Sequence, residues 1–430
     1  AARAINDDHQ IKEALPDLAR MLDQNRFMNE PLLRRAINAN LYSGTPENAK
    51  RLAEFAVREG VPEEMRIEAL ATLSVWDNPS TLDRVTGRYR GEIERNPAVA
   101  RQAIEPVISQ LLTEGSTPVK IAAIETVGKL SYAEAYPALI SMLKEDTATG
   151  VRIAVLRALQ EGSYSQIEEA VGIALEDPQQ NVRMTALSMI PALDIAEERK
   201  VDLLASVLGS KSVVEQQSAL EALGALQSEA AYKILNRQLD KFADDELMAE
   251  VQLELITAVE RSSSEELKSR LADYRSAREN ENSVEAYRES LWGGSAERGR
   301  RIFYRHEGAQ CTRCHAIDGR GGDVGPDLTH IARILSRDQL LESLVDPGAR
   351  IAPGYGVVTA TLNSGEKVQG IVVEESEKWF TIRTGEGEHI TMQKSDVAER
   401  IDPPSAMPPV GEVLTRSELR DLVEFLNTLE

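Results

Sequence analysis

Cys311, Thr312, Arg313, Cys314 and His315 set two thiols close together with an imidazole directly behind them. Two thiols at this spacing can form thioethers to the two vinyl groups of one porphyrin, and the following histidine is then placed to bind its iron. The C-x-x-C-H string is the attachment sequence of a c-type haem, so the expected cofactor is one covalently bound haem c (iron), held by Cys311 and Cys314 with His315 on the metal. These are the only two cysteines among 430 residues. A structural zinc site would need a second Cys or His pair, which the sequence lacks. A thioredoxin-like redox pair would sit near a βαβ pattern, absent here. A plain disulfide gives no reason for His315.

The surrounding elements must hold these groups. Gly293-Gly294-Ser295 reads as a break, followed by a helix from Ala296 to His306 leading into Cys311. Beyond the motif, Gly319 to Gly322 and Gly325-Pro326-Asp327-Leu328 supply turns that can hug a flat ligand. A sixth ligand must approach from the other face. Met407, between Pro403-Pro404 and Pro408-Pro409, is the best candidate, because prolines fix a non-helical loop that presents one thioether. A closing helix from Thr415 to Leu429 follows, capped by Thr415 or Ser417. Met392 lies in a strand-like run, and His306, His330 and His389 read as ordinary surface histidines. Between His315 and Met407, the runs Tyr355–Leu362, Lys367–Val373, Trp379–Thr384 and His389–Met392 predict a small antiparallel β-unit inserted at about 355–400.

The order Gly299, Arg300, Arg301, Ile302, Phe303, then Cys311, resembles the first helix of class I cytochromes c. The resemblance implies that Gly299 lets this helix cross the C-terminal helix closely and that Phe303 packs between helix and haem. It also implies that the Pro326 carbonyl orients His315, and it gives the order of loop methionine and closing helix. With the β-insert, Leu344-Val345-Asp346-Pro347 and Met407-Pro408-Pro409, residues 288–430 resemble the haem-binding domain of the planctomycete and verrucomicrobial type. In that family a HEAT-like region precedes the domain, and before it a β-propeller similar to quinoprotein sugar dehydrogenases. No propeller is read in this chain, so any dehydrogenase activity would lie outside these residues.

Ahead of this segment, Ala-rich apolar motifs recur. The anchors Ile124, Leu156, Leu187, Leu220 and Ile256 are 32, 31, 33 and 36 residues apart, and Ile37 and Leu70 are 33 apart. Each opens a helical pattern followed by a second amphipathic stretch, such as Ala138–Leu143 or Ile167–Leu175. A two-helix unit of this length cannot bury its apolar face alone, so neighbours stack. The units resemble HEAT repeats, interrupted by a loop from Trp76 to Pro97. The expected fold is mainly α: a HEAT-like α-solenoid over 1–287, then a class I cytochrome c-like domain over 288–430. Ile5 lies 32 residues before Ile37, so the solenoid is expected to be truncated at its N-terminus, as a piece of a longer protein.

The net charge of −21 argues against nucleic acid as a partner. Residues 291–430 hold 16 basic and 22 acidic side chains against 33 and 48 before them, so most of the acidic excess precedes the motif. No run of apolar residues is long enough for a transmembrane segment. Haem attachment of this kind takes place outside the bacterial cytoplasm, which predicts a periplasmic or otherwise exported protein. A haem held by His and Met has no open position, so electron transfer is the leading expectation. The resemblance implies a quinoprotein-type sugar or alcohol dehydrogenase as donor and a soluble electron acceptor downstream. The six arginines against two acidic residues between Arg298 and Arg320 would favour an acidic partner, or else form a salt-bridged helix face. Two other readings stay open: a gas sensor or peroxide-reactive haem if the sixth position is free, and a partner-binding solenoid scaffold. The chain is expected to be the electron-transfer part of a larger oxidoreductase, not an enzyme by itself.

Overall fold

Alanine-rich apolar stripes on short helices cannot be buried by one helix pair, so successive pairs must cover one another. The computed structural model describes residues 1–7, 11–24, 28–276, 284–352, 354–401 and 405–430; it is mainly helical and forms two compact units, Ala1–Val207 and Leu208–Glu430.

In the first unit the helices are α1 (Ala2–Asp7), α2 (Leu15–Ala19), α3 (Glu30–Ser43), α4 (Pro46–Val57), α5 (Glu63–Leu73) and α6 (Ala98–Glu114). They continue with α7 (Thr117–Lys129), α8 (Tyr136–Glu145), α9 (Thr149–Glu161), α10 (Ile167–Leu175), α11 (Gln180–Met189) and α12 (Glu197–Val207). Helices α3, α5, α7, α9 and α11 pack one on the next, while α4 packs on α6 and α8 on α10, giving two layers. The anchors Ile37, Leu70, Ile124, Leu156 and Leu187 fall one on each helix of the first layer and are at most 2 % exposed. Burying each contributes about 1.5–3 kcal/mol relative to leaving it in water, which keeps the register. Helices α7 and α9 approach until a Cβ built on Gly128 would stand 2.7 Å from Ala158 Cα. The stretch from Trp76 to Pro97 is non-helical and holds only the isolated bridge Leu82–Tyr89. It is pinned through Asp83, whose carboxylate accepts from Arg90 (2.6 Å), Asn38 (3.0 Å) and the Val85 and Thr86 N–H groups.

The second unit begins with helices of the same repeat character: α13 (Val213–Ala225), α14 (Glu229–Ala243), α15 (Gln252–Arg261) and α16 (Glu265–Ser276). Helix α13 packs on α15 with Leu220 and Ile256 buried, and Gly224 meets Ala258 as Gly128 meets Ala158. Further along lie α17 (Ala296–Arg305), α18 (Arg337–Val345) and α19 (Arg416–Leu426). They share a core with Phe303, Ile317, Leu341, Leu414, Leu422 and Phe425. Thr415, not Ser417, caps α19, in a reciprocal box with Glu418.

Strands β1 (Ala316–Ile317) and β2 (Arg320–Gly321) form a minimal hairpin. Between α18 and α19 lies the antiparallel sheet: β3 (Val357–Leu362), β4 (Lys367–Glu375), β5 (Trp379–Arg383), β6 (His389–Gln393) and β7 (Val397–Ile401), in the order β6-β5-β4-β3-β7. It buries its own small core of Val358, Ala360, Val372, Phe380, Ile382 and Met392. The sequence reading names four of these strands and misses β7. Val397-Ala-Glu-Arg-Ile401 carries two charges in five residues and lacks the aromatic or threonine residues of β3, β5 and β6; it pairs along the edge of β3.

Candidate functional site

Helix α17 starts at Ser295, whose hydroxyl accepts the Arg298 N–H. It delivers Phe303 into the core, 2 % exposed, with its ring centre 5.9 Å from that of Phe425 and 5.1 Å from that of Tyr304. Helix α17 can lie against α19 because Gly299 has no side chain; a Cβ there would run into the Asp421 carbonyl. The Asp421 carboxylate in turn accepts from Arg298 at 2.6 and 2.9 Å and from the Ser295 N–H. At the end of α17, His306 Nδ1 accepts the N–H groups of Gly308 and Ala309 and turns the chain toward Cys311.

Cys311 to Arg313 form one 3₁₀ turn, and both Cys314 and His315 donate their N–H to the Cys311 carbonyl, at 3.2 and 2.9 Å. Asp318 and Gly319 then take left-handed φ angles of 51° and 71°, the pair of positive angles that reverses a tight hairpin. The returning chain wraps the motif by backbone bonds. Gly322 N–H donates to Thr312, Gly325 to Cys314 and Leu328 to Ala316, at 2.8–2.9 Å.

This wrapping brings His315 Nδ1 to 2.9 Å from the Pro326 carbonyl. A carbonyl only accepts, so Nδ1 is the donor, and in the neutral imidazole Nε2 is then the nitrogen with a lone pair for a metal. Gly325 lies against the imidazole, where a Cβ would stand 2.7 Å from Cε1 and 2.9 Å from Nδ1. Both cysteines are free thiols; Cys314 is exposed and Cys311 is half-buried against the helical core. Burial pushes the Cys311 thiol above its usual range, so it is neutral around pH 7. Val324, one residue before Gly325, is left 65 % exposed. Hydrogen bonds from the Thr329 hydroxyl and N–H hold Asp327 below the usual carboxylate range.

Met407 is half-buried and packs against the same core as Phe303 and Cys311; its N–H donates to Ser405 Oγ at 3.1 Å. Asp402, Pro403 and Pro404, half of its expected proline frame, lie outside the described residues. The competing side chains are occupied otherwise. Met392 is 6 % exposed in the sheet core, His389 is exposed on β6, and His330 Nδ1 lies 2.9 Å from the Glu430 carbonyl. The arginines around the motif are partly paired: Arg298 with Asp421, Arg301 with Glu297 at 2.9 Å, and Arg313 with the Gln310 side chain.

The residues fit a thioether-linked haem. Two free thiols precede an imidazole whose Nε2 has no hydrogen-bond partner among the described residues, and a glycine leaves the ring uncrowded. Among the described residues no group of three or more His, Cys, Asp or Glu side chains is arranged to hold a bare metal ion. Were a haem attached here, His315 and Met407 would be the side chains to hold its iron.

One part of this frame carries no local sequence signal. Arg420 of α19 makes a two-pronged ion pair with Glu254 of α15 at 2.7 and 2.9 Å, both side chains at most 5 % exposed. Gln217 of α13 donates to the carbonyls of Glu250 and Gly293. Glu254 and Arg420 are 166 residues apart, so only folding shows that the helix closing the haem-motif segment is bolted to a repeat helix.

Residues 93–160, spanning α6 to α9, match the protein family described as HEAT repeats. No curated protein matches the chain. Among solved structures, human deoxyhypusine hydroxylase in complex with glycerol is 14 % identical, covering 66 % of this chain and 96 % of that one, with a TM-score of 0.28. The complex of CpcE and CpcF of phycocyanin lyase from Nostoc sp. PCC7120 is 18 % identical, covering 57 % and 87 %, with a TM-score of 0.28.

Proposed function

We propose that the helical repeats are a partner-binding scaffold and that the segment after residue 288 carries one covalently attached haem c and transfers electrons. The HEAT-repeat match supports the scaffold part. The haem part is carried by one observation: directly after a C-x-x-C pair, His315 Nδ1 is held at 2.9 Å by the Pro326 carbonyl with Gly325 against the ring. Cys311 and Cys314 would form the thioethers, His315 Nε2 would bind iron, and Met407 would take the sixth position. Bound there, the haem supplies reversible one-electron redox chemistry. The chain's own residues do the rest. Pro326 fixes the imidazole tautomer and raises the basicity of Nε2. Phe303 and the core of α17 and α19 exclude water from one side, and the exposed Cys314 turn is the side open to a partner.

On this reading the protein is exported. It accepts electrons from a quinoprotein-type dehydrogenase and passes them to a soluble carrier, with no substrate chemistry of its own. Absorption spectra of the oxidised, reduced and carbon monoxide-treated protein test it. A thioether-linked haem spectrum, a far-red methionine–ferric band and no carbon monoxide shift are expected. A large carbon monoxide shift would move gas sensing or peroxide chemistry ahead, and absence of haem would leave the scaffold alone.

A further inference from the structure

A second place in the fold has donors without acceptors. Helix α3 ends at Ser43, and Gly44 reverses the chain with a φ of 68°. The non-helical stretch after α5 folds back on this end: Trp76 is fully buried, and Arg95 lays its guanidinium over the indole, Cζ 4.9 Å from the ring centre. The same guanidinium lies against Gly44, where a Cβ would come within 2.8 Å of it.

Of the other arginines in this unit, Arg90 has Asp83, Arg84 has Glu68, Arg51 has Asp23 and Arg35 has Asp7, all at 2.6–3.0 Å, while Arg66, Arg88 and Arg101 donate to backbone carbonyls at 2.6–2.9 Å. Arg95 has no carboxylate among the described residues. Its one hydrogen bond is a long one, 3.4 Å from Nη1 to the Trp76 carbonyl. Burial pushes its pKa down, opposed only by the nearby Tyr42. The end of α3 offers only about half a negative charge, spread over its last carbonyls. Three side chains on residues beside Arg95 end in a buried polar atom without a hydrogen-bond partner among the described residues: Trp76, over whose ring Arg95 lies, at Nε1, and Tyr42 and Ser43, directly before Gly44, at their hydroxyls. An indole N–H donates only, and two hydroxyls and a guanidinium fork can all donate together.

We propose that Arg95, Trp76, Tyr42 and Ser43 form a binding site for a small oxyanion, a carboxylate or a phosphate. One cation and three donors require a partner with several acceptor atoms and negative charge. A guanidinium fork matches the paired oxygens of either group. A cation is excluded by Arg95, and an apolar ligand would leave every donor unpaired. The site lies in the first unit and does not depend on the haem reading.

The test is thermal unfolding and tryptophan fluorescence of the purified chain, titrated with sodium phosphate and with sodium acetate against sodium chloride at equal ionic strength. Phosphate or acetate should raise the unfolding midpoint beyond chloride, and the salt that acts identifies the class. Trp76→Phe keeps the ring and loses the N–H, so half-saturation should shift by about tenfold, the worth of one hydrogen bond to a charged group. Arg95→Gln should abolish the effect. Equal midpoints in all salts would overturn the site and leave its donors to water. So would an equal rise in wild type and Trp76→Phe, which is general stabilisation by an excluded salt. If Arg95→Gln does not fold, Trp76→Phe decides alone.

Discussion

His315, Pro326 and Gly325 act at the scale of single atoms. The group that holds His315 is a backbone carbonyl, so Pro326→Ala leaves the acceptor in place and changes only loop stiffness, worth under about 1 kcal/mol. Gly325→Ala is different, because its Cβ would press the imidazole at 2.7 Å and the ring must tilt off Pro326. We expect Pro326→Ala to keep nearly full haem content per protein by pyridine haemochrome assay. Gly325→Ala should lose most of it, whereas Gly385→Ala, in open space, should lose none. Met407→Ala, by opening the sixth position, should make the reduced protein bind carbon monoxide. A Met407 variant spectrally identical to wild type would remove that side chain from the ligand set.

Between elements, the contact to probe is α15 against α19. Glu254 and Arg420 are both nearly out of water, so their pairing is not worth much over an apolar pair of the same shape. Breaking it from one side leaves a buried, unpaired charge. Glu254→Gln should cost about 3–5 kcal/mol in urea unfolding, and the double variant Glu254→Leu/Arg420→Met should recover most of that. If Glu254→Gln and the double variant both unfold like wild type, α15 does not anchor α19. The Gly299 crossing works by shape instead: any side chain there meets the Asp421 backbone, which cannot give way as a flexible side chain can.

For the molecule as a whole, acid sensitivity follows from its buried carboxylates. Burial tends to raise Asp83 and Asp177, but hydrogen bonds outweigh it and bring both below the ordinary range. Asn38, Arg90 and two N–H groups act on Asp83; Arg152 and the Gln179 N–H act on Asp177. A carboxyl with a lowered folded pKa adds stability that is complete above its unfolded value, about 3.9, and is lost as pH falls through the folded value. The unfolding midpoint should therefore hold from neutral pH to about 5 and drop steeply below about 4. Asp177→Asn should lower the neutral-pH midpoint and flatten part of that acid limb. A variant with an unchanged acid limb would mean that Asp177 titrates alike in both states.

Much of this was legible along the chain, where the information is local or periodic. The anchors near every 33 residues mark one layer of stacked helices because burial repeats once per helix pair. The spacing of Cys311, Cys314 and His315 states a chemistry because those atoms must lie on one turn. Four strands were readable as β-rich runs between turns, and β7 was not, since its pairing partner β3 lies over thirty residues earlier in the chain. The tertiary structure decided what depends on distant residues meeting. Gly325 sits against the His315 ring, Glu254 pairs with Arg420, and Arg95 lies over Trp76 without a carboxylate among the described residues. Each is a contact between groups with no fixed sequence spacing, and whether a charge is paired or an N–H satisfied exists only once the chain has removed both from water.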